Sequence, residues 1–288
     1  MHNGFVLIDK PEGITSHDAV NQVRRALKTK KAGHAGTLDP LATGLLVIAV
    51  GTAARFIRYL SLEPKTYEAE IRFGIETDTH DSTGRAVQTH STAELTEQSV
   101  RVTASKFTGS IQQTPPMFSA VKIGGKRLYS LARKGQTVSR KPRTVHVERF
   151  DITEFQNDSA RAVIVCSTGT YVRTLIHDLG CELGTGAHMT ELRRTAMGHF
   201  RVENAVQPDA VTPSDLIAPA NALRPMQMIE ISQEASLRIC RGLDIKAHDL
   251  EQGSLVGLIG PAGSLIAVGR VRDASVHPER VAPTMDVE

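Results

Sequence analysis

The chain has 288 residues, room for one large domain and a small one, with 40% hydrophobic residues and a formal net charge of +3. No run is apolar enough for a membrane-spanning helix and no signal peptide opens the chain, so a cytoplasmic protein is expected. Lys+Arg 34 against Asp+Glu 31 neither requires nor excludes nucleic acid, which leaves the decision to where the charges lie.

Residues 5–9 predict a strand, closed by the turn Lys10-Pro11-Glu12-Gly13. Ser16 is placed to cap a helix reaching about residue 28, with Val20, Val23 and Leu27 on one face. A glycine-rich stretch, residues 33–44, separates it from Leu45-Leu46-Val47-Ile48-Ala49-Val50, which reads as a buried strand. Residues 52–60 predict a short helix, and residues 65–74 an alternating strand with Tyr67, Ala69, Ile71 and Phe73 on one side. A polar turn over residues 77–84 and a helix over 96–107 come next. Residues 160–167 predict a strand, followed from Gly169-Thr170 by a helix towards Leu183. Pro213, Pro219 and Pro225 mark a change of pattern. Beyond them Ser232 can cap a helix that Gly242 ends, and residues 254–259 and 264–271 read as paired strands. Without a regular βαβ repeat, the class expected is α+β. The three cysteines, Cys166, Cys181 and Cys240, lie in no CxxC and sit among apolar residues, which predicts buried, reduced thiols.

Within Gly33-His34-Ala35-Gly36-Thr37-Leu38-Asp39-Pro40-Leu41-Ala42-Thr43-Gly44 there is one carboxylate, Asp39. Gly33, Gly36 and Gly44 permit positive φ and close approach of another chain, and Pro40 pushes Asp39 out of the helical region. Read alone, Asp39 is either a catalytic acid on a glycine-rich lip or an ordinary turn residue. Asp78, His80 and Asp81 have no recognised metal-ligand spacing and read as turn formers.

The whole twelve-residue string resembles the nucleophile loop of the pseudouridine synthases, in the version carried by bacterial tRNA pseudouridine-55 synthases. Cys166-Ser167-Thr168-Gly169-Thr170-Tyr171-Val172-Arg173-Thr174 and Lys65-Thr66-Tyr67 resemble that family's second and third motifs. The resemblance covers about the first two hundred residues. It implies a mainly antiparallel, mixed-sheet catalytic domain over residues 1–222, followed by a small β-rich, PUA-like RNA-binding domain over 223–288. It also implies that uridine 55 of the tRNA T-loop is isomerised to pseudouridine, without a cofactor or metal.

By the same resemblance Asp39 is the catalytic aspartate and Arg173 its positive partner, favouring the ionised acid by about one to three pKa units. Tyr67 stacks on the uracil and is the family's candidate for taking the C5 proton. Three roles are open to the aspartate: attack at C1′, addition to the base, or removal of the C2′ proton. Tyr171 and Leu192 line the pocket of the flipped nucleotide. His34 enters the T-loop where the base has left, the extrusion itself costing a few kcal/mol. Taken without the family, Tyr67, Tyr171 and Leu192 are equally core residues, Arg173 a solvated helix residue and His34 a solvated loop residue.

Residues 119–147 hold no acidic side chain, but do hold Lys122, Lys126, Arg127, Arg133, Lys134, Arg140, Lys141 and Arg143. With Gln113-Thr114-Pro115-Pro116-Met117-Phe118 before it, this run resembles the family's RNA-gripping insertion, about residues 110–146. Lys10, Arg24, Arg25, Lys30 and Lys31 add a second basic cluster for the RNA backbone. A monomer acting on the T-arm and elbow of tRNA without guide RNA, protein partner or membrane is expected. The competing readings are an RNA-folding protein with an incidental active site and a guide-RNA-dependent relative.

Overall fold

The computed structural model describes residues 2–119, 122–123, 126–129, 135–136, 138–247 and 249–283, with backbone alone at 122–123 and 126–127. In chain order the elements are β1 (Gly4–Lys10), α1 (Ser16–Ala26), β2 (Ala32–His34), β3 (Thr43–Val50), a 3-10 helix (Gly51–Tyr59), β4 (Lys65–Phe73), β5 (Ile75–Thr77) and β6 (Ala86–Thr89). Then come α2 (Glu97–Ser105), β7 (Gly109–Gln113), β8 (Lys122–Ile123), β9 (Lys126–Arg127), β10 (Arg143–Gln156), β11 (Ser159–Cys166), α3 (Val172–Glu182), β12 (Ala187–Met197) and β13 (Phe200–Arg201). After several short turns follow β14 (Gln227–Glu230), α4 (Gln233–Cys240), β15 (Ile245–Lys246), β16 (Leu255–Ile259), β17 (Leu265–Arg272) and β18 (Ser275–Val281).

The chain divides into two compact units, residues 1–39, 46–61 and 204–288 in one and residues 40–45 and 62–203 in the other. In the first, the apolar face of α1 (Ala19, Val20, Val23, with Leu27 just beyond) packs on Val6 and Ile8 of β1 and on Leu46, Ile48 and Val50 of β3. Those strand positions are two apart, as one sheet face requires, and each such side chain contributes about 1.5–3 kcal/mol by leaving water. Residues 227–281 build their own five-stranded sheet, order β14-β16-β17-β18-β15. Its core joins Ile239 of α4 to Val256, Leu258, Ala267, Val271 and Val276.

The second unit is built on the antiparallel run β12-β4-β11-β10-β7. Strand β4 alternates as its sequence predicts, with Lys65, Tyr67, Ala69, Ile71 and Phe73 buried. Only the start of β3 joins β12 in parallel, Thr43 beside Arg193 and Gly44 beside Arg194. Helix α3 packs on β12 and α2 on β10. The fold is α+β and mainly antiparallel, as expected.

Three local expectations are corrected. Thr15, not Ser16, caps α1: its side chain accepts from the Asp18 amide while Asp18 reaches back to Thr15, a reciprocal box that frees Ser16 for another role. Residues 51–59 wind as a 3-10 helix. Of the cysteines only Cys166 is buried; Cys181 is exposed and Cys240 intermediate, because the apolar neighbours in sequence point to other faces of their helices. No helix among the described residues is long and apolar enough to cross a membrane.

Candidate functional site

The loop bearing Asp39 is fixed from both ends. On the entry side β2 pairs with β3, His34 opposite Ile48, and the Ala35 amide donates to the Val47 carbonyl at 2.8 Å. His34 is thereby held half-buried just ahead of Asp39. Gly36 takes φ +107, a backbone that side chains rarely adopt. Leu38 is then clamped by one hydroxyl. Ser16 Oγ accepts from the Leu38 amide at 2.8 Å and donates to the Leu38 carbonyl at 2.9 Å, and both residues are buried. Asp39, next in the chain, is intermediate in exposure. On the exit side Gly44 has φ +95, and a Cβ there would lie 2.3 Å from the Arg194 carbonyl oxygen, so glycine is required.

Around Tyr67 the sheet register does the positioning. Tyr67 is 7% exposed and stands between Ile164 of β11 and Arg194 of β12, while Ala69 is opposite Leu192. Cross-strand partners share a face, so Tyr67 and Leu192 are diagonal neighbours on one side of the sheet. Arg194 has no exposed surface and donates through Nε to the Leu45 carbonyl at 2.8 Å. It ties the strand leaving the acid loop to the strand beside Tyr67. Its buried role was legible in the alternation Leu192, Arg194, Ala196, which puts the arginine in phase with two apolar residues.

Arg173 lies in the first turn of α3, 5% exposed. It pairs with Asp81 at 3.1 Å and also donates to the Phe118 carbonyl. Asp81 is no simple turn former. It accepts from the hydroxyls of Thr79 (2.7 Å) and Thr83 (2.5 Å) and from the Thr83 amide, and it spends its other oxygen on the guanidinium. A charge pair this deeply buried persists because the carboxylate is also held by hydrogen bonds from its neighbours. Tyr171 is the N-cap of α3. Gln113, 2% exposed, grips its backbone on both sides, the amide oxygen accepting from the Tyr171 N–H at 2.8 Å and the amide nitrogen donating to its carbonyl at 3.1 Å.

Burial shifts several groups here. His80 falls to about 3, through desolvation first and then the positive charges of His177, Arg173 and Arg140, so its ring is neutral at physiological pH. Burial also lowers Lys65, with Arg194 adding to it, and lifts the Cys166 thiol to about 11.

The basic residues separate into two kinds. Arg25, Lys30, Lys31 and Arg143 are exposed. Lys10 corrects its assignment to the RNA backbone. It has no exposed surface, and its ammonium donates to the carbonyls of Pro11 (2.8 Å) and Ile14 (2.9 Å), closing the turn that follows β1. Arg24 is likewise spent inside the protein, on the Ala32 carbonyl at 2.6 Å and on Asn21. The side chains of Lys122, Lys126 and Arg127 lie outside the described residues, as do Arg133 and Lys134.

Residues 24–172 match the N-terminal domain of the TruB family of pseudouridylate synthases, and residues 173–226 match the tRNA pseudouridylate synthase B C-terminal domain. The chain is 42% identical to tRNA pseudouridine synthase B of Geobacter sulfurreducens, covering 93% of this chain and 90% of that protein. It is 41% identical to the protein of that name from Thermobifida fusca, over 96% and 98%. Among solved structures, one from a Cbf5-Nop10-Gar1 complex superposes with a TM-score of 0.72 at 26% identity, over 96% of this chain and 84% of that one. The chain belongs to the TruB family of pseudouridylate synthases.

Proposed function

We propose that this synthase isomerises uridine 55 in the T-loop of tRNA. The bond from uracil N1 to ribose C1′ breaks, the detached base turns, C5 bonds to C1′, and the C5 proton is lost while N1 gains one, so the product is an isomer of the substrate. Asp39 is the reacting carboxylate. Tyr67 offers a ring for the extruded uracil and a phenol for the C5 proton, with Leu192 as the apolar wall beside it on the same sheet face. Arg173, held by Asp81, is the positive charge of the site, Tyr171 lines the nucleotide pocket, and His34 takes the place vacated in the T-loop.

The exposed Arg25, Lys30, Lys31 and Arg143, with the basic insertion, grip phosphates. Residues 1–222 carry the chemistry and residues 223–288 act as a small RNA-binding module. The enzyme works alone in the cytoplasm, as a monomer without guide RNA. The observation that carries the reading is the Ser16 clamp on Leu38, which spends a buried hydroxyl on aiming the residue that follows.

The test is to incubate purified protein with an unmodified tRNA transcript, without guide RNA, and map pseudouridine at single-nucleotide resolution. Conversion at position 55 is expected. Asp39→Asn keeps tRNA affinity and loses product by about 10⁴-fold, the upper end for a group acting in proton transfer. Product elsewhere, or normal yield from the variant, refutes the assignment.

A further inference from the structure

Helix α3 carries His177 and Cys181 four residues apart, which puts both on one face, one turn beyond Arg173. Cys181 Sγ lies 3.6 Å from His177 Nε2, and a Glu76 oxygen of β5 lies 4.0 Å from Nδ1 of the same ring. One donor atom from each of the three falls within 4.8 Å of the others. Zinc bonds of about 2.3 Å to sulfur and 2.0–2.1 Å to nitrogen, at a tetrahedral angle, separate those two donors by about 3.6 Å.

The surroundings support the donors as ligating groups need. His90 Nε2 holds one Glu76 oxygen at 2.9 Å, leaving the other for a ligand. The His80 ring lies flat on His177, centroids 3.9 Å apart and planes 9° from parallel, which fixes the imidazole plane. Glu76 and His177 are partly buried and Cys181 is exposed, so the cluster has one open side. That side admits the ion and leaves room for a water as fourth ligand.

We propose that Glu76, His177 and Cys181 form a binding site for a borderline-soft divalent cation of the zinc type, tying α3 to β5. Imidazole and thiolate select this class over magnesium or calcium, which take oxygen ligands. The ion acts on the structure, as a staple one turn from Arg173. The ligand is the thiolate, so binding displaces a proton and strengthens as pH rises.

The test titrates the metal-free full-length protein with Co²⁺. One equivalent is expected to bind, with the near-ultraviolet charge-transfer band of a cobalt–thiolate bond, and Zn²⁺ should displace it. Cys181→Ser loses the band and binds at least tenfold more weakly, whereas Cys240→Ser keeps both. Independently of any variant, saturating Zn²⁺ slows alkylation of Cys181 at least tenfold and leaves Cys240 unprotected. A wild-type protein with no thiolate band and no protection of Cys181 overturns the site, as does a band that survives Cys181→Ser.

Discussion

The loop around Asp39 and the socket around Arg173 are held in opposite ways. Leu38, next to Asp39, takes its clamp from Ser16, only 22 residues earlier, and the loop takes its shape from glycines inside it. Arg173 takes its partners from Asp81, 92 residues away, and from the Phe118 carbonyl, 55 residues away. The acid is presented by a short stretch of chain that carries its own geometry. The buried cation exists only where three distant segments have already come together. A change in the loop should therefore alter the reaction, and a change in the socket should alter the fold.

The sharpest way to break that comparison is Asp81→Ala. Removing the carboxylate from a buried guanidinium is expected to cost about 3–5 kcal/mol, read from urea unfolding. A loss below 1 kcal/mol would show that the Asp81 pair is not what holds Arg173. Ser16→Ala takes a partner from both polar groups of Leu38 and is expected to cost about 1–3 kcal/mol. Its distinguishing sign is kinetic: kcat falls while tRNA affinity stays within twofold. Equal losses in both would mean the hydroxyl does not aim the loop.

Acid titration probes the socket more gently. His80 is held near 3, against an ordinary value of 6.5, so between those values the unfolded chain binds the extra proton. Stability then rises with pH across that window and falls as pH drops below 6.5, by up to about 1.4 kcal/mol per unit from this one group. His80→Asn, which suits the left-handed φ of +64, is expected to flatten that slope. An unchanged slope in thermal melts from pH 6.5 to 4 would assign the acid sensitivity elsewhere.

The smallest expected effect is on the surface. Replacing Arg25, Lys30 and Lys31 together by Ala lowers the salt slope of tRNA binding by up to about one per residue, with stability within about 0.5 kcal/mol. Lys10→Met gives the converse, a stability loss without a change in salt slope.

Much of this was readable from residue order. Asp39 and its glycines stand in one twelve-residue string, and the alternation of β4 put Tyr67 on the buried face. The phase of Leu192 and Ala196 also marks Arg194 as buried, although the neighbouring Arg193 conceals it among apparent surface charges. Asp81 was not readable as an ion-pair partner, since an aspartate among threonines after a short strand has every mark of a turn. Gln113 gave no sign of gripping Tyr171, and Lys10 beside a proline turn looked like any surface lysine.

By itself the sequence determined the α+β class, the glycine-rich loop around Asp39 and the strand that places Tyr67, because periodicity and glycine chemistry act between near neighbours. Only the tertiary structure decided which cations face solvent and which are sealed inside. It also decided what Arg173 leans on and that Glu76, His177 and Cys181 meet. Those outcomes depend on desolvation and on partners from distant segments, and no spacing along the chain records either.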